Sequence, residues 1–173
     1  MRAIIGGEVL DSVHNHHNYA WRERHDGRDL WVVRKGATPA FPGQRGFIGG
    51  SMGDDAVIVA GVESPASAAS LYSTVHGAGR VMSRTAARGR SVRDPATGKR
   101  MRQQGLVRHD EMQAWLRRKG VRLMGGGLDE APQVYRRLPD VLAHHAGTLA
   151  IERNLRPFAV VMAGADVLDP FKD

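Results

Sequence analysis

The sequence predicts an α+β protein of mixed β-sheets with flanking helices, and three observations carry that expectation. Residues 18–34 hold two short alternating runs around Asp26-Gly27, the pattern of a β-hairpin. Residues 110–120 set Met112, Trp115 and Leu116 at helical spacing and close on Gly120. Elsewhere, short apolar runs alternate with glycine-rich turns: glycine supplies 21 of the 173 residues and aromatics only 6%, a mix that suits turns better than a helical bundle. The length fits a single domain over residues 1–173.

Taken in order, Val9 to His14 reads as a short strand interrupted by His14-Asn15-His16-His17-Asn18. Tyr19, Trp21 and Glu23 then alternate with Ala20, Arg22 and Arg24, and Leu30-Trp31-Val32-Val33 is the returning strand. Residues 41–53 are too rich in glycine and proline for a helix, and Ala56 to Ala60 is a buried strand. Glu63 to Ser70 is a loop or short helical turn. Residues 84–108 carry eight basic side chains against Asp94 alone, the composition of an exposed basic loop. Asp110 can cap the helix that Gly120 ends. Val121 to Met124 is a strand, a short helix carries Tyr135, and Asp140 can cap a helix reaching Leu149. Leu155 to Met162 is a final strand, followed by a polar tail from Ala163 to Asp173.

The formal charge of +7 favours a polyanionic partner, nucleic acid before nucleotide. The chain has no cysteine, so it can supply neither a disulfide nor a thiolate ligand. The amino terminus lacks the apolar run of a secretory signal, and the longest apolar stretch, Phe158 to Ala165, is too short to cross a bilayer. No membrane association is expected, and the expected location is the cytoplasm.

The densest chemistry lies at Ser73-Thr74-Val75-His76-Gly77-Ala78-Gly79-Arg80-Val81-Met82-Ser83-Arg84. Small residues let backbone approach a ligand closely. A helix beginning there would favour a bound phosphate and set Arg80 and Arg84 on one face. His76 is then a positioned donor or a nucleophile. A serine triad fits poorly, since no Gly-x-Ser-x-Gly elbow surrounds Ser73. Gly49-Gly50-Ser51-Met52-Gly53 can present backbone N–H groups to an anion, or is simply a turn. His14, His16 and His17 form a metal-like cluster that needs a further ligand, or else polar strand-edge histidines. Asp129 and Glu130 read as capping, solvated carboxylates before acid–base groups.

Together, His16-His17-Asn18-Tyr19, Arg34-Lys35-Gly36-Ala37, Gly50-Ser51-Met52-Gly53, His76-Gly77-Ala78-Gly79-Arg80 with Ser83-Arg84, and Asp129-Glu130-Ala131-Pro132 with Tyr135 resemble the RtcB family of GTP-dependent RNA-splicing ligases. The five motifs stand in the family's order and cover its carboxy-terminal portion. The resemblance implies an RtcB-like catalytic fold and an enzyme using GTP and Mn²⁺. It would join RNA 3′-phosphate or 2′,3′-cyclic phosphate ends to 5′-hydroxyl ends, as in tRNA splicing or the repair of broken RNA.

By the same resemblance, His76 is the guanylylated nucleophile and His17 a manganese ligand. Asn18, Gly49, Gly50, Ser51, Met52, Gly77, Ala78, Gly79 and Tyr135 contact the nucleotide. Arg34 or Lys35 suits a phosphate. Three positions depart from the family: Ala163 precedes Gly164 where a lysine is usual, Ala56 replaces a serine, and Gly49 a leading proline. The family's front half, which supplies an aspartate, a cysteine and two histidines to the metals, lies outside this sequence. The chain therefore reads as the carboxy-terminal segment of such a ligase, with RNA and GTP as expected partners and a separately encoded amino-terminal half or self-association as further ones. The alternative is a truncated or split-ligase fragment that binds GTP or RNA without ligating.

Overall fold

The computed structural model describes residues 6–164 and residue 167. These residues fall into two compact units. One takes the chain up to residue 47 with 58–76 and 147–153; the other takes 48–57, 77–146 and the chain from 154 onward. Both combine short strands with helical segments, so the α+β expectation holds.

The first unit opens on an antiparallel hairpin of β1 (Asn18–His25) and β2 (Arg28–Lys35), in register from Asn18 opposite Lys35 to His25 opposite Arg28. Asp26 and Gly27 have φ of 49° and 76°, the left-handed pair that a tight two-residue turn demands. The alternation was legible, but the inward face is polar. Arg34 is only 2% exposed and donates to both Glu23 carboxylate oxygens. It also donates to the Tyr19 hydroxyl (3.3 Å), Ser73 Oγ (2.9 Å) and the Leu71 carbonyl (2.9 Å). His25 Nε2 lies 2.9 Å from the same carboxylate. Burial alone would raise Glu23, but the hydrogen bonds from Arg34 and His25 outweigh it and hold the carboxyl below its ordinary range.

β3 (Ala37–Pro39) leaves the hairpin, followed by β4 (Arg45–Ile48) and β5 (Ala56–Gly61). Every second residue of β5, from Val57 to Gly61, is buried. Ser64 then caps the five-residue α1 (Pro65–Ala69) by accepting from the Ser67 N–H. Leu71 and Tyr72, at φ of 52° and 49°, turn the chain into β6 (Ser73–Val75). β6 runs antiparallel to β3, with Ala37 opposite Val75.

In the second unit Ser83 caps α2 (Arg84–Arg88), which runs into a hairpin of β7 (Gly89–Arg93) and β8 (Arg100–Gln104). The stretch read as a basic loop is therefore a helix and a hairpin. Its alternation is of polar residues and carries no apolar signal. The expected helix appears as α3 (His109–Lys119), ended by Gly120 at φ 69°. Arg108, not Asp110, is its cap residue, and Asp110 sits in the first turn. Met112 and Leu116 of α3 pack with Met52, Ala87, Val121 and Val134 into an apolar core.

β9 (Arg122–Met124) and two 3₁₀ turns, Leu128–Glu130 and Pro132–Val134, lead to Tyr135, which is extended rather than helical. α4 (Leu138–Ala143) ends well before Leu149. Leu149 instead begins β10 (Leu149–Leu155), which joins β5 and β4 in the order β10-β5-β4, for most of its length in the first unit. The strand expected over 155–162 splits because Arg156-Pro157-Phe158 intervenes and proline cannot donate to a ladder. Only β11 (Ala159–Val161) follows, parallel to β9. Residues 9–14 form no strand. Of the tail expected from Ala163, only Ala163, Gly164 and Val167 are among the described residues.

Candidate functional site

In the first unit, the register of β3 against β6 continues one step to set Gly36 against His76. A Cβ built on Gly36 would lie 3.5 Å from His76 Nε2 and 3.6 Å from Cδ2, so glycine leaves that flank of the imidazole uncovered. Gly36 has φ 70°, a second reason for glycine there. Its N–H donates to the His17 carbonyl (2.7 Å) and to Asn18 Oδ1 (3.3 Å). The turn that carries His17 and Asn18 is thereby tied to the edge of His76.

The His17 and His76 rings stack with centroids 4.8 Å apart and planes within 9°. Partial burial, and then the neighbouring His17, push His76 below the ordinary imidazole range, so the neutral ring with a free lone pair is favoured. Three residues 17, 36 and 76, scattered in sequence, are thus brought together. Gly36 was not among the site residues expected from sequence, and its signal was only the glycine of Arg34-Lys35-Gly36.

His14 and His16 instead stack edge to face at 4.6 Å. Among the described residues, no group of three or more His, Cys, Asp or Glu side chains could hold a metal ion. Among the described residues, His17, the expected metal ligand, therefore stands without the two or three further donors that a complete site needs. Arg34, read as able to reach a phosphate, is buried with its guanidinium committed to Glu23, Tyr19, Ser73 and Leu71, whereas Lys35 is exposed.

In the second unit the Gly77–Met82 segment is not helical; the helix begins only at Arg84. Instead Gly77 bridges Gly49, and the Ala78 N–H donates to the Gly49 carbonyl (3.2 Å). A Cβ on Gly77 would sit 3.2 Å from that carbonyl, closer than side chains normally approach. Gly79, at φ 76°, has open space where a Cβ would be. Gly50 folds so tightly over Asp54 and Asp55 that a Cβ would lie 2.6 Å from the Asp55 carbonyl. Ser51 Oγ donates to Asp54 Oδ2 (3.0 Å), and the Met52 side chain is buried in the apolar core.

Arg80 and Arg84 meet through carboxylates rather than along a helix. Arg84 pairs with Glu130 and with Asp129 (3.3 Å), and Arg80 Nη2 donates to the Asp129 carbonyl (2.7 Å). Arg80 Nη1 donates to the Tyr135 hydroxyl (3.0 Å), while its guanidinium covers the Tyr135 ring at 5.1 Å. The Tyr135 hydroxyl in turn donates to Glu130. Burial, then this bond to Glu130, raises Tyr135 above the ordinary phenol range and keeps it protonated. Asp129 and Glu130 are thus ion-paired rather than solvated, through partners more than forty residues away in sequence.

Residues 5–163 match the family described as tRNA-splicing ligase RtcB. A tRNA-splicing ligase RtcB of Archaeoglobus fulgidus is 36% identical over 165 residues, covering 83% of this chain and 31% of the relative. That of Pyrococcus furiosus is 36% identical over 179 residues, covering 90% of this chain and 16% of the relative. An RNA-splicing ligase RtcB of Escherichia coli is 46% identical over 80 residues, 46% of this chain and 19% of the relative. The chain spans less than a third of the length of these relatives, and by that match it belongs to the RtcB family.

Proposed function

We propose that this chain carries the nucleophile and the nucleotide contacts of a GTP-dependent RNA ligase. His76 Nε2 attacks the α-phosphorus of GTP; the N–P bond forms, the bond to the bridging oxygen breaks, and pyrophosphate leaves. An oxygen of an RNA 3′-phosphate, arising by hydrolysis where the end is a 2′,3′-cyclic phosphate, then takes the guanylyl group and releases the imidazole. The RNA 5′-hydroxyl finally attacks the activated 3′-phosphorus, loses its proton, and expels GMP as the strand is sealed.

The observation that supports this reading is His76 itself, held neutral beside His17 with its Nε2 flank open at Gly36. In the same proposal Asn18, the Gly49-Gly50-Ser51-Met52 turn, Gly77-Ala78-Gly79 and Tyr135 contact the nucleotide. Met52 is buried, so in this proposal its backbone rather than its side chain makes the contact. Mn²⁺ would stabilise charge on the transferred phosphoryl oxygens. His17 is the donor this chain would offer it. That incomplete donor set favours a second reading, a module that binds GTP or RNA and ligates only with an amino-terminal half supplied separately.

The test is incubation with GTP labelled at the α-phosphate and Mn²⁺, with and without the amino-terminal portion of a relative. The expected product is an acid-labile, alkali-stable protein label that His76→Ala abolishes. Its rate should hold down to a pH below the ordinary histidine range, because the depressed His76 keeps its lone pair there. Label absent in both conditions, with nucleotide or RNA binding retained, would leave the binding module. Label that survives in His76→Ala would overturn the nucleophile.

A further inference from the structure

We propose that the β7–β8 hairpin is a docking surface for the backbone phosphates of single-stranded RNA; RNA as the partner rests on the ligase reading above. The first support is the register. Arg93 stands directly opposite Arg100, with Lys99 adjoining. Like charges directly opposite across an antiparallel pair are destabilising, so this ladder is built against its own stability unless an anion lies over it.

The hairpin does not supply that anion. Asp94 is the one acid within residues 84–108, and both its oxygens are used inside the turn. Oδ1 accepts from the Ala96 N–H (2.9 Å) and Oδ2 from Thr97 Oγ1 (2.5 Å). Arg90 donates to a neutral group, Gln103 Oε1 (3.3 Å). Arg88, Arg90, Arg93, Lys99 and Arg100 are all exposed.

The second support is shape. A cavity of about 690 Å³ lies against the hairpin, and its lining includes Arg88, Arg90, Ser91 and Arg100 with Gly126 and Gly127. Asp129 at its wall is engaged by Arg84, which limits its repulsion of an anion. A smaller cavity of about 280 Å³ continues along Ser91, Val92, Arg93 and Arg100. Arg100 borders both, so one chain of phosphates can run from one to the other. Among the described residues neither lining contains an aromatic side chain for base stacking, which fits a surface that reads backbone charge rather than sequence.

The experiment is fluorescence anisotropy of a short labelled oligouridine with the full 173-residue chain across a potassium chloride series. Each phosphate contact to a single strand contributes about −0.7 to the slope of log affinity against log salt, so Arg93→Gln/Lys99→Gln/Arg100→Gln should flatten the slope by about 2. Arg93→Lys/Arg100→Lys should retain it. The triple variant should melt no lower than the parent, since it removes the opposed charges. An unchanged slope in the triple variant, or a parent whose binding ignores salt, overturns the hairpin. Guanylyl label failing on His76 while the slope difference persists would sink the ligase reading and leave this surface standing.

Discussion

At the centre of the first unit lies Arg34, held by five hydrogen bonds to Glu23, Tyr19, Leu71 and Ser73. At the centre of the second lie Met112, Leu116 and Val134, held by contact alone. The difference is one of direction. Hydrogen bonds to a planar guanidinium fix angles, and two of the groups it holds, Leu71 and Ser73, lead straight into β6, the strand that ends just before His76. Apolar packing is insensitive to orientation, and it supports a cluster whose order comes instead from its own Arg80, Arg84, Glu130 and Tyr135 pairs. The histidine centre thus depends on the polar core beneath it, while the tyrosine cluster carries its own restraints.

The widest separation between the two should come from Arg34→Met. Removing one partner of a buried ion pair strands the other, at a cost of about 4 kcal/mol. Hydrogen exchange should rise in β2 and β6 and stay at parental levels in α3. Adding Glu23→Leu should recover most of the loss, since the stranded carboxylate goes with it. If Arg34→Met alone melts with the parent, the polar core is ornamental and the contrast fails. Acid offers the same test without mutation. Glu23 is held below its unfolded value, so its contribution is present above the ordinary carboxylate range and is lost as pH falls through the folded value.

Leu116→Ala is the counterpart in the second unit. Leu116 is 2% exposed, and the change should cost about 3 kcal/mol through lost burial and the cavity left behind. Exchange should rise in α3 and leave β2 and β6 unchanged. Equal disturbance of both sets of amides would mean that the units do not respond separately.

That contrast was only half legible in the sequence. The β1–β2 turn and α3 could be read because Asp26-Gly27 and Gly120 are local signals, complete within a few residues. Arg34 could not, because its partners lie from 11 to 39 residues away and Arg34-Lys35-Gly36 looks like a phosphate-reaching loop until Glu23 is seen beside it. Residues 89–104 were missed as a hairpin because no apolar alternation marks their pairing. His17 and His76 were both singled out by motif, but their stacking is a tertiary fact, as is the pairing of Arg84 with Asp129 and Glu130.

The smallest stability effect, and the most informative for the histidine centre, is expected from Gly36→Ala. At φ 70° an alanine costs about 1 kcal/mol of backbone strain. Gly27→Ala, at φ 76° in the hairpin turn with nothing within 4 Å of its Cβ, should cost the same. The two differ in what the methyl meets. At Gly27 it meets solvent; at Gly36 it comes to rest 3.5 Å from His76 Nε2, an ordinary contact that breaks nothing but covers the flank of the nitrogen proposed to attack GTP. Both variants should therefore melt alike, while guanylyl labelling slows roughly tenfold in Gly36→Ala, equivalent to about 1.4 kcal/mol in the barrier, and stays parental in Gly27→Ala. Equal labelling in both would show that the glycine serves only the turn, and that access to His76 is governed from another side.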